Sequence, residues 1–112
     1  AYYGAGQSRE AIESLKQAIA LRPDYAEAHN SLGVAYYKLK RYREATAAFT
    51  EAIRLKPDFA LARYNLGATG LVTNRREAAL EQYGTLKTLS SELAGRLYDG
   101  LYQGMVLSVR ER

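Results

Sequence analysis

A chain of 112 residues, 47 % of them hydrophobic and 25 % charged, makes one domain with a real core, which excludes both a disordered segment and a multidomain assembly. The lack of cysteine excludes disulfides and thiolate metal sites, and no apolar run approaches the ~18 residues of a membrane span. A net charge of +4, from 16 Lys and Arg against 12 Asp and Glu, mildly favours acidic partners.

In chain order, the residues before Ser8 read as a stub. Because the first residue is Ala1 rather than Met, a fragment is expected, and the absence of a signal peptide carries little weight. Ala11, Leu15 and Ala18 place a helix near 8–21. "LRPDYA" follows, from Leu21 to Ala26. Pro23 cannot continue the preceding helix and pushes Arg22 out of helical geometry, while Asp24 and Glu27 have the spacing of a capping box. A helix near 26–39 carries Leu32, Tyr36 and Leu39 on one face; after the polar turn "LKRY", a helix near 43–55 carries Ala45, Phe49, Ala52 and Ile53. "LKPDFA", from Leu55 to Ala60, then repeats the stop-and-restart hexamer 34 residues on. Two more helices are expected near 60–73 and 76–89. A final helix near 92–109 presents Leu93, Leu97, Leu101 and Met105 on one side, with Ala94, Tyr98 and Tyr102 beside them. Its weakness is Gly95, Gly100 and Gly104, each costing up to ~1 kcal/mol against Ala; the Gly100-x-x-x-Gly104 spacing reads as accident outside a membrane.

Sliding the chain by 34 residues superimposes Leu32-Gly33 on Leu66-Gly67, Ala45 on Ala79 and Phe49 on Tyr83. A fixed period in this range marks stacked helical repeats. Gly33 and Ala45 are small enough for two antiparallel helices to approach closely, with Tyr36 and Phe49 filling the space alongside. Tyr36 and Tyr83 are both expected in the core.

The series Leu32-Gly33-x-x-Tyr36, Ala45-x-x-x-Phe49 and Pro57 resembles the tetratricopeptide repeat (TPR) pattern. The resemblance covers about residues 1–91. It implies an all-α fold: an α-solenoid of antiparallel helix pairs (a TPR-like superhelix) with a C-terminal capping helix. The expected organisation is one domain over 1–112, with a partial first repeat at 1–25, a second at 26–59, a third, divergent one at 60–91 and the capping helix at 92–112. His29 stands where the family often carries Trp. In the third repeat Gly70 replaces the large aromatic and Ser91 the proline; Leu86, where Ala is usual, is expected to refill part of the space at Gly70.

The residues offer little to catalysis. His29 is the only histidine, with Glu27 as its nearest orienting acid, and the structural reading of such a residue is the commoner one. There is no acid pair with ligand spacing, no Walker pattern, and Gly4-x-Gly6 lacks the rest of a dinucleotide loop. No enzyme activity, metal or cofactor is expected. The basic run Lys38, Lys40, Arg41 and Arg43, with Tyr42 among them, reads chiefly as a solvated turn at a helix C-terminus.

By resemblance, the function is that of a protein-interaction scaffold, a peptide or partner helix lying in the concave groove. Family geometry puts Glu27, Asn30, Val34, Tyr37 and Lys38 there from the second repeat, and Leu61, Tyr64, Ala68 and Leu71 from the third. Tyr37, Tyr64 and Leu71 are the expected anchors, Asn30 would bond the partner's backbone and Lys38 would attract acidic residues. Leu61 and Asn65 stand where one sub-family places a basic clamp for chaperone C-termini, so that role is not expected. Two rivals are a self-association module (a homodimer, or a swap of the final helix), with Ile12, Leu15 and Ile19 left exposed, and a salt-sensitive binder of anionic partners. Nucleic acid is disfavoured, and a cytoplasmic location is slightly favoured over a periplasmic one.

Overall fold

The structure, a computed structural model, describes the backbone of residues 2–110 and the side chains of residues 6–103. Those residues form helices throughout, with no strand among them: α1 (Tyr2–Leu21), α2 (Ala26–Lys38), α3 (Tyr42–Leu55), α4 (Ala60–Val72), α5 (Arg76–Leu89) and α6 (Ser91–Arg110). The expected stub before Ser8 is therefore helical from Tyr2 onward and continuous with α1. The side chain of Met105, expected on the apolar side of α6, lies outside the described side chains.

Each helix packs on the next in the chain, and α2, α4 and α6 also touch one another in sequence order. Among the described residues α1, α3 and α5 make no such row. Helices closer together on one side than on the other curve the stack, so α2, α4 and α6 form its inner, concave side.

The two hexamers build the same junction. In each, the aromatic N–H closes a β-turn onto the carbonyl three residues back: Tyr25 to Arg22 at 3.1 Å and Phe59 to Lys56 at 3.0 Å. Proline in second place of that turn supplies the required φ. The preceding cation then lies over the aromatic ring, Arg22 Cζ 4.5 Å from the Tyr25 centroid and Lys56 Nζ 5.0 Å from that of Phe59. The capping box is not formed: Tyr25, not Asp24, is the N-cap of α2, and no side chain caps it. Instead His29 Nε2–H donates to the Pro23 carbonyl at 3.0 Å, and Arg63, its counterpart 34 residues on, donates to the Pro57 carbonyl at 2.8 Å. The α5–α6 junction has no proline; there Ser90 Oγ accepts from the Leu93 N–H at 3.3 Å and caps α6.

The intra-pair turns are also copies. Lys40 and Asn74 both have φ of 61°, and the next residue's N–H reaches back to Tyr36 O (2.9 Å) or Gly70 O (2.7 Å). That is the Schellman ending, with a left-handed residue just past the helix.

Two apolar clusters form the core. The first gathers Ile12, Ala35, Tyr36, Ala45 and Phe49. A Cβ built on Gly33 would stand 2.5 Å from the Phe49 ring, which shows why glycine is needed there. Ile12 is buried, and Leu15 and Ile19 are half-buried. The expected exposure of these three is thus corrected: α1 turns its apolar stripe into the α2–α3 layer. The second cluster gathers Ala79, Leu86, Ala94, Leu97 and Leu101, with Tyr83 only half-buried at its rim. Leu97 of α6 takes the place over Gly67 that Phe49 holds over Gly33; a Cβ on Gly67 would meet Leu97 Cδ2 at 2.7 Å. Tyr83 is left to pack on Tyr98, ring centroids 5.7 Å apart, and Gln82 turns inward instead, where Arg63 Nη1 donates to its Oε1 at 3.1 Å. Gly100 is no accident either: a Cβ there would lie 2.7 Å from Leu71 Cδ1, so its missing side chain lets α6 approach α4.

Candidate groove between the first helices of the pairs

An α-helix turns by about 100° per residue, so Leu61, Tyr64, Asn65 and Ala68 share one face of α4. That face looks across to Val34 and Tyr37 of α2. Between them lies a cavity of 240 Å³ lined by Val34, Tyr37, Tyr64, Asn65 and Ala68, with Phe49 of α3 behind. Its walls are mostly apolar, with phenol hydroxyls and one amide as polar groups.

Several bonds fix this geometry. Asn65 Nδ2 donates to Asn30 Oδ1 at 3.0 Å, tying α4 to α2. Tyr37 packs edge-on against Tyr42, ring centroids 5.4 Å apart. Arg96 of α6 lies over the Tyr64 ring at 5.1 Å, roofing one end of the groove. Burial, and then the neighbouring Tyr42 and Tyr64 phenols, push the Tyr37 hydroxyl above its ordinary pKa, so Tyr37 remains a neutral donor at any physiological pH.

Of the nine residues expected at the groove, Val34, Tyr37, Tyr64 and Ala68 line the cavity. Leu61 is exposed on the same face of α4. Asn30 is buried, and its acceptor oxygen is already taken by Asn65, so its side chain braces the two helices. Glu27 is exposed at the start of α2, with Lys56 Nζ 3.9 Å from its carboxylate. Lys38 is exposed and borders a different hollow, between α1 and α2. Leu71 is not brought to the groove: it packs against α6 at Gly100 and joins the second apolar cluster. Phe49 and Asn65 were missed as lining residues. Asn65 had a signal, since it stands one turn from Leu61 on the same face, whereas Phe49 reaches the groove through tertiary packing alone.

No group of three or more His, Cys, Asp or Glu gathers for a metal among the described residues, and no helix there is long and apolar enough to cross a membrane.

A family model described as "TPR repeat" matches residues 1–40, and one described as "Tetratricopeptide repeat" matches residues 26–59. A comparison with curated proteins gave no match. Among solved structures, the chain is similar to the crystal structure of MamA, with a TM-score of 0.74, 23 % sequence identity, and coverage of 97 % of this chain and 75 % of that one. At that identity the likeness speaks for the fold alone. The helix pairs, their 34-residue period and the two family matches over 1–59 give one conclusion: the chain belongs to the tetratricopeptide repeat family.

Proposed function

We propose that the groove between α2 and α4 binds a segment of a protein partner. TPR repeats generally mediate protein–protein interaction, and proteins of this family are typically non-catalytic scaffolds. The observation that carries the groove reading is the 240 Å³ cavity walled by Val34, Tyr37, Tyr64 and Ala68. A hollow of this size and lining accepts one apolar side chain of a bound segment, while the Tyr37 and Tyr64 hydroxyls remain available to its backbone. Both tyrosines supply large contact area at low entropic cost.

The test is capture of partners from the native host's lysate, at low and high salt and after nuclease treatment. Wild-type chain should retain a discrete protein under all three conditions. The Tyr37→Ala, Tyr64→Ala double variant, with its helical circular dichroism unchanged, should lose it by at least about tenfold in affinity. Equal retention by both chains would remove the groove from the reading.

A further inference from the structure

On the face of α4 opposite Tyr64 and Ala68, a second cleft of 300 Å³ opens between α3, α4 and the start of α5, lined among others by Arg43, Thr46, Leu66, Gly70, Thr73 and Arg75. Its origin lies in the repeat. In the second pair, Arg41 Cζ lies 4.9 Å from the centre of the Tyr36 ring, an aromatic filled in under a cation. Thirty-four residues on, Arg75 stands in the place of Arg41 and Gly70 in the place of Tyr36. The backbone frame is retained, with the same left-handed residue and the same return bond, but the ring is gone. Leu86, expected to refill that space, is buried instead among Leu97, Leu101 and Ala94.

The chain cannot easily restore the ring itself. A Cβ on Gly70 would sit 3.0 Å from the Arg75 carbonyl oxygen and 3.3 Å from Ala78 Cβ, so the turn has closed over the root of the missing side chain. What remains is the space beyond, toward Thr46, and a cavity of about 150 Å³ already suffices for benzene. Its surroundings are cationic. The edge formed by the two intra-pair turns carries Lys38, Lys40, Arg41, Arg43, Arg75 and Arg76 against Glu44 and Glu77. Only Arg41 of these six is paired among the described residues, with Glu44.

We infer that this cleft is a second docking site, for an aromatic side chain flanked by carboxylates on an acidic peptide. The ring takes the space vacated at Gly70 beneath Arg75, and the flanking carboxylates meet Arg43 and the neighbouring cations. The site is independent of the α2–α4 groove, since it uses the other face of α4.

The test is an amide chemical-shift titration of the full chain with a capped peptide of two glutamates, a phenylalanine and two glutamates. Shifts are expected at Leu66, Gly70, Thr73 and Arg75, with affinity falling as salt rises. Replacing the peptide's phenylalanine by alanine should weaken binding about five- to tenfold, and so should replacing its glutamates by glutamines. Arg75→Ala and Arg43→Ala, both changes at exposed positions, should each weaken it about three- to tenfold. Because the peptide variants leave the chain intact, they decide the matter even if a protein variant is damaged. Shifts confined to Tyr37, Tyr64 and Ala68, an alanine peptide that binds as well as the phenylalanine one, or no binding at millimolar peptide would each overturn the site.

Discussion

Gly33 and Gly95 are both helical glycines, yet their neighbourhoods differ completely. A Cβ on Gly33 would be driven into the buried Phe49 ring, whereas one on Gly95 meets nothing within 4 Å. Gly33→Ala should therefore destabilise by about 1–3 kcal/mol through overpacking. Gly95→Ala should stabilise by up to about 1 kcal/mol, because it removes only backbone entropy from the unfolded chain. Urea denaturation of both variants checks the pair. Lys40 is a third special position: with φ at 61° it carries the cost of a non-glycine residue in the left-handed region. Lys40→Gly should raise stability by about 0.5–1 kcal/mol, read in the same assay. The Tyr37 phenol supplies a pH signature. Its folded pKa is raised above the unfolded value of 10.0, first by burial, so its contribution is complete below pH 10 and is lost as pH rises through the folded value. The urea midpoint of wild type should fall more steeply above pH 10 than that of Tyr37→Phe.

At the scale of elements, the junctions decide where helices stop. The hexamers could be read directly, because proline in a turn and a restart just after it are local chemistry. Helix bounds accordingly fell within a residue or two of expectation, except at the beginning of α1. The caps were less legible. Asp24 and Glu27 have the right spacing, but the β-turn and the His29 bond to Pro23 already organise that end, and Tyr25 becomes the N-cap. At α6 the cap is a side chain, and Ser90→Ala should cost about 1 kcal/mol, measurable as a lower thermal midpoint. The placement of α6 was the hardest part to read. Leu97 over Gly67 and Leu71 against Gly100 depend on how one helix approaches another, and no periodicity within α5 or α6 reports that. Tyr83 at the rim follows from the same packing, whereas the cleft at Gly70 follows from glycine standing where the second repeat has Tyr36. The four residues that do line the groove were legible because a repeat position fixes both helix and face.

For the whole molecule, the stack measures 48 × 34 × 20 Å and presents two hollows on opposite faces of α4. One is mostly apolar and central; the other is cationic and lies at the edge of the intra-pair turns. The central claim is that a partner lies along the first of these. It is tested most directly by photo-crosslinking in the native host from a photoreactive residue at Leu61, which is exposed on the groove face of α4, with the same residue at Leu80, exposed on α5, as comparison. A single discrete adduct from position 61, absent from position 80 and lost on adding Tyr37→Ala and Tyr64→Ala, is the result expected. Adducts from position 80 but none from position 61 would contradict the account and move the binding surface to the outer helices.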